Sequence, residues 1–102
     1  MTASPDILRR SASLSAAPAA PAALLEPALA EVSGPGAEPV SLTLDYAGAA
    51  RAGVSVVVEA WVDRATRTLV FAHGRLLAAE DGALVATGSA VFRRPGAAPA
   101  AP

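Results

Sequence analysis

Cysteine and lysine are absent from this chain, and histidine occurs once, at His73. Without cysteine there is no disulfide, no thiolate metal site and no Cys nucleophile. A single histidine excludes a multi-His zinc site and leaves little for a His-based triad, so no metal and no other cofactor is expected. No run of about 18 apolar residues exists, which excludes a conventional transmembrane helix. Arginine carries all the side-chain positive charge, eight residues against nine acids, for a net charge of −1. That balance gives no global attraction to nucleic acid or to an anionic membrane. The N-terminus makes a poor export signal. Asp6 precedes Arg9-Arg10, and Pro18, Pro21 and Pro27 interrupt the apolar stretch that follows. A cytoplasmic location is the expectation.

What is present falls into three zones of the 102 residues. Residues 1–20 read as a disordered Ala/Pro/Ser-rich arm, 21–94 as one folded domain, and 95–102 as a disordered tail. Within the domain, Pro21 to Val32 is the helix candidate. Leu24, Leu25, Ala28, Leu29 and Val32 share a face, and Pro21 suits the first turn. Pro27 argues for a start near Glu26-Pro27 or a kink there, because an interior proline costs about 3 kcal/mol. Ser33-Gly34-Pro35-Gly36 ends the helix.

Four stretches then alternate with the period of a strand. Val40 to Tyr46 sets Val40, Leu42, Leu44 and Tyr46 against Ser41, Thr43 and Asp45. Val54 to Arg64 sets Val54, Val56, Val58, Ala60 and Val62 against Ser55, Val57, Glu59, Trp61 and Asp63. Arg67 to Glu80 and Leu84 to Arg93 follow, joined by the hairpin signal Asp81-Gly82. The sum is an α+β architecture, a four-stranded antiparallel meander with one short helix. Small residues at Ala72, Gly74, Ala86, Gly88 and Ala90 let a helix or another backbone approach the sheet closely. Two exposed sheet edges favour a homo-oligomer.

Ser41-Leu-Thr-Leu-Asp-Tyr46, the bend Ala49-Ala-Arg-Ala-Gly53 and the closing strand Glu80-Asp-Gly-Ala-Leu-Val-Ala-Thr-Gly-Ser-Ala-Val-Phe92 together resemble the hotdog-fold acyl-CoA thioesterases. The resemblance spans residues 40–93, or from Leu24 at its widest. The family's first strand and most of its central helix find no counterpart in this reading, so the N-terminal part reads as truncated or degenerate. The resemblance implies a hotdog-like fold whose sheets pair edge to edge, and an acyl-CoA or other acyl thioester held at the subunit interface. It implies thioester hydrolysis by a directed water, without a metal. The alternative is a non-catalytic hotdog module that binds acyl-CoA or a partner subunit.

Thioester hydrolysis needs a carboxylate or similar group to activate water. Asp45 and Glu59 are the strand carboxylates available, though alternation alone also puts acids on solvated faces. Arg51, Arg67, Arg93 and Arg94 could hold CoA phosphates through bidentate guanidinium bonds. The resemblance puts the loops of Arg51 and Arg67, with Gly53 and Thr68 beside them, at the rim where a pantetheine would enter. Asp63 and Arg64 are expected to pair with Arg67 at the surface. His73 reads as a polar position on a half-exposed face. Gly34-Pro35-Gly36 precedes a strand rather than a helix and is no nucleotide fingerprint, and no Gly-x-Ser-x-Gly elbow occurs.

Overall fold

The computed structural model describes residues 7–47 and 53–96. Its elements, in chain order, are β1 (Leu8–Ser13), α1 (Ala20–Ser33), β2 (Glu38–Tyr46), β3 (Ser55–Ala65), β4 (Leu69–Ala78) and β5 (Leu84–Arg93). All strands pair antiparallel in one sheet of order β1-β3-β4-β5-β2. The α+β, hotdog-like architecture is as the sequence implies, with five strands rather than four.

Three features depart from the sequence reading. Residues 8–13, expected within a disordered arm, form β1 and pair with β3 from Leu8↔Ala60 to Ser13↔Ser55. Leu8 and Ala12 pack against the core from this strand, and buried Leu14 follows it. That alternate small apolar set is enough for an edge strand, although Arg9-Arg10-Ser11 masks it. The helix, expected to start at Pro21 or near Glu26-Pro27, begins at Ala20. Finally, β2 lies beside β5, not beside β3 as a simple meander would require. α1 runs across one face of the sheet, so the chain leaves β1 at one edge and enters β2 at the other.

α1 continues through Pro27 without a break. Pro27 and Ala23, whose carbonyl loses its i+4 donor, are both exposed on the solvent side. That side of the helix is open to solvent, which reduces the expected penalty of the missing bond. The opposite stripe buries Leu25, Ala28 and Leu29. Gly34 closes the helix at φ 106°, its N–H donating to the Glu31 carbonyl at 3.2 Å.

The contact between layers is very close at two paired glycines, Gly74 and Gly88. A Cβ on Gly74 would lie 2.9 Å from the Glu59 carbonyl oxygen and 3.2 Å from Leu25 Cδ2. One on Gly88 would lie 3.2 Å from Leu44 Cδ2. The row Ala60–Gly74–Gly88–Leu44 is thus a shallow channel in which Leu25 and Leu29 sit. Val56, Val58, Val70, Leu76, Ala90 and Phe92 complete this core. Full burial of each leucine stabilises by about 1.5–3 kcal/mol.

Candidate functional site

Opposite the helix, the sheet presents an open face whose polar side chains fall into two adjacent rows. Strand register generates them. The first row reads Arg9↔Glu59↔Arg75↔Thr87↔Asp45 across β1, β3, β4, β5 and β2. The second reads Trp61↔His73↔Ser89↔Thr43. Side chains two apart on a strand share a face, so the rows lie side by side.

In the first row Glu59 is only 4% exposed, the single buried charged residue among those described. Arg75 Nε donates to its Oε1 at 2.6 Å and Arg9 Nε to its Oε2 at 2.7 Å. These bonds, Arg75 first, hold the carboxyl below the usual carboxylate range, against the opposing effect of burial. A carboxylate so fixed is a strong ion-pair partner and a weak base. Asp45, its counterpart at the β2 end, is exposed. Three strand spacings of about 4.8 Å separate the two backbones, about 14 Å in all.

The second row contains a continuous hydrogen-bond chain. Trp61 Nε1 donates to Asp63 Oδ1 at 2.9 Å. The other carboxylate oxygen, Oδ2, bonds His73 Nδ1. His73 Nε2 meets Ser89 Oγ at 2.7 Å. The Trp61 and His73 rings stack at 6.2 Å with 16° between planes. Asp63 reaches His73 because β3 is irregular there. Val62 pairs with Ala72 and Arg64 with Phe71, leaving Asp63 as the extra residue of a bulge. Such bulges re-aim a side chain. The expected pairing of Asp63 and Arg64 with Arg67 is replaced accordingly. Asp63 bonds His73, and the Arg64 guanidinium lies 5.2 Å from the Phe71 ring centroid.

The remaining sequence candidates divide between the two ends of the sheet. Gly53, at φ 82°, donates its N–H to the Leu14 carbonyl at 2.7 Å, just before β3 begins. Asp45 and Tyr46 lie at that same end, paired with Thr87 and Ala86 near the start of β5. Arg67 and Thr68 lie beyond the other end of β3, some eleven residues away at about 3.3 Å each. There the Thr66 hydroxyl accepts the Leu69 N–H at 3.0 Å, and the Thr68 carbonyl accepts the Arg94 N–H at 2.9 Å. Arg94 also donates Nη1 to the Thr66 carbonyl at 3.0 Å, so it braces this turn. Within one chain these candidates form no single site. Arg51 lies outside the described residues.

The β2 edge differs from the β1 edge in what it exposes. Val40, Leu42 and Tyr46 are 52%, 36% and 59% exposed, a row of large apolar groups along unpaired backbone. Among the described residues no cluster of three metal-ligating side chains occurs, and no helix is long and apolar enough to cross a membrane.

Comparison with known proteins agrees with this architecture. The sequence matches the model of the acyl-CoA thioesterase N-terminal domain over residues 11–93. A sequence search of curated proteins finds no match. Among solved structures, thioesterase superfamily member 2 from zebrafish superposes with a TM-score of 0.77 at 21% identity, covering 91% of this chain and 78% of that one. A variant of the phenylacetic acid degradation protein PaaI from Thermus thermophilus gives 0.75 at 18% identity, covering 92% and 90%. The mouse thioesterase superfamily member 2 gives 0.74 at 21%, covering 91% and 78%. At these identities the structural likeness shows the hotdog fold, and with the family match spanning most of its length, the chain belongs to the acyl-CoA thioesterase N-terminal domain family.

Proposed function

We propose that this protein binds acyl-CoA-type thioesters at an interface between two copies and hydrolyses them there. The family match over residues 11–93 carries this reading. The apolar β2 edge supports it, because unpaired backbone flanked by Val40, Leu42 and Tyr46 is suited to pairing with a second copy of itself. An isologous two-fold contact would run β2 antiparallel to its partner, reversing the ends of the sheet. One copy's Asp45 and Gly53 would then share an end of the joined sheet with the partner's Arg67 and Thr68. Candidates at opposite ends of one chain thereby come to the same end of the pair. In this reading Asp45 directs the water, while Arg51, Gly53, Arg67 and Thr68 border the CoA entrance. Neither a metal nor a redox cofactor is needed for this hydrolysis, and a cytoplasmic acyl-CoA pool would supply the substrate.

A second reading, thioester binding without hydrolysis, draws on the engagement of Glu59 by two arginines. Light scattering after gel filtration, with thiol release from decanoyl-CoA, tests both. The expected result is a dimer or larger oligomer, with turnover reduced at least about a hundredfold in Asp45→Asn. Binding without thiol release would favour the second reading. A monomer indifferent to decanoyl-CoA would remove both.

A further inference from the structure

The Asp63–His73–Ser89 chain on the open face has the order of contacts of a nucleophilic hydrolase. We propose that it is a second acyl-transfer site, in which Ser89 attacks short-chain acyl esters or thioesters. It lies away from the helix and does not rest on the interface reading.

A carboxylate accepts only, so His73 presents Nδ1–H to Asp63 and leaves Nε2 to accept from the Ser89 hydroxyl. That tautomer is the one a serine nucleophile requires. Asp63 is itself held by the Trp61 indole, and the imidazole is stacked on that ring. Its three members come from adjacent strands β3, β4 and β5, whose backbones the ladder fixes. A bulge in β3 places the carboxylate. The Arg75 guanidinium, paired with Glu59, lies 5.5 Å from the Trp61 ring centroid and packs against that side of the row. The site is open: His73 and Asp63 side chains are 45% and 43% exposed. An open face without a deep acyl groove fits short acyl groups rather than long ones.

The proposed step balances without any co-reactant but water. Ser89 Oγ forms a bond to the acyl carbon while its proton passes to His73 Nε2. The bond from carbon to the leaving sulfur or oxygen breaks, and that atom takes the proton from His73. Water, deprotonated by His73, then cleaves the Ser89 ester, releasing the carboxylic acid and restoring the hydroxyl. Ser89 and His73 are the catalytic residues, and Asp63 is a positioning residue.

The test is acylation by p-nitrophenyl acetate, followed by a fluorophosphonate probe, with the modified residue located by peptide mass spectrometry. The full chain is used. The expected result is a burst of p-nitrophenolate and a label on Ser89. Ser89→Ala abolishes the label, and His73→Gln slows it about a hundredfold. Asp63→Asn slows it at least about tenfold, while Asp63→Glu restores part of the rate. Cooperative melting of every variant guards against misfolding. Label confined to His73 or the N-terminal amine, label unchanged in Ser89→Ala, or no label on folded protein would each overturn the proposal. Unchanged decanoyl-CoA hydrolysis in Ser89→Ala, with the label lost, would separate this site from the interface site.

Discussion

The two faces of the sheet obey different rules. The helix face is largely apolar and closely packed, with paired glycines beneath two leucines and its one ion pair, Arg10 with Glu31, at the exposed β1 margin. The open face sets apolar groups such as Phe71 and Val91 beside two polar rows, several of whose members are joined by charge-assisted hydrogen bonds and placed by register and by one bulge. Dispersion and burial set the first face, so volume is what matters there. Partner identity sets the second, so exchanging one polar group alters chemistry more than stability. The same five strands therefore provide a rigid floor and a configurable surface.

The sharpest way to break this contrast is on the helix side. Leu29→Ala leaves a void over Gly74 and Gly88, and is expected to cost about 2–5 kcal/mol in urea unfolding. A cost within the range of surface substitutions would mean that the layers are less tightly joined than their geometry indicates.

Glu59 tests the boundary between the two regimes, being buried yet on the polar face. Glu59→Gln loses the charge-assisted bonds to Arg75 and Arg9, for about 1.5–3 kcal/mol, moderated because both arginines are half-exposed. The sign with pH follows from the lowered pKa. A carboxyl depressed on folding contributes its full stability above its unfolded value and loses it as pH falls through the folded one. The stability gap between wild type and Glu59→Gln should therefore hold above the ordinary value of 4.5 and narrow as pH falls below it. A gap independent of pH would show that shape, not charge, is what Glu59 supplies.

The smallest expected effect sharpens the comparison. Ser89→Ala should change unfolding free energy by about 0.5 kcal/mol or less, because Ser89 is half-buried and its hydroxyl bonds one side chain. A large loss would place His73 and Ser89 in the structural class, alongside Glu59.

Much of the helix face was legible in the sequence. Val56, Val58, Ala60, Val70, Leu76 and Phe92 were separable by alternation, and Leu25, Ala28 and Leu29 by helical spacing. Even the close approach over Gly74 and Gly88 followed from clustered small residues. The open face was legible only as polar positions. His73 bonds partners ten and sixteen residues away in sequence, and no local pattern joins Asp63, His73 and Ser89. Pairing the strands through a two-residue Asp81-Gly82 turn would align His73 with Ala90; the irregularity between Leu76 and Leu77 brings it opposite Ser89 instead. The bulge that delivers Asp63 left no mark in the sequence either.

Residue periodicity by itself determined which side chains face inward, because burial repeats every two or 3.6 residues and needs no knowledge of neighbours. Turn chemistry likewise placed the C-terminal end of α1 at Gly34 and the turn of the last hairpin. Strand order, the recruitment of Leu8–Ser13 as an edge, and the meeting of Asp63, His73 and Ser89 were decided only in the tertiary structure. These depend on which strands lie side by side and in what register, and that is settled by the packing of α1 across the whole sheet.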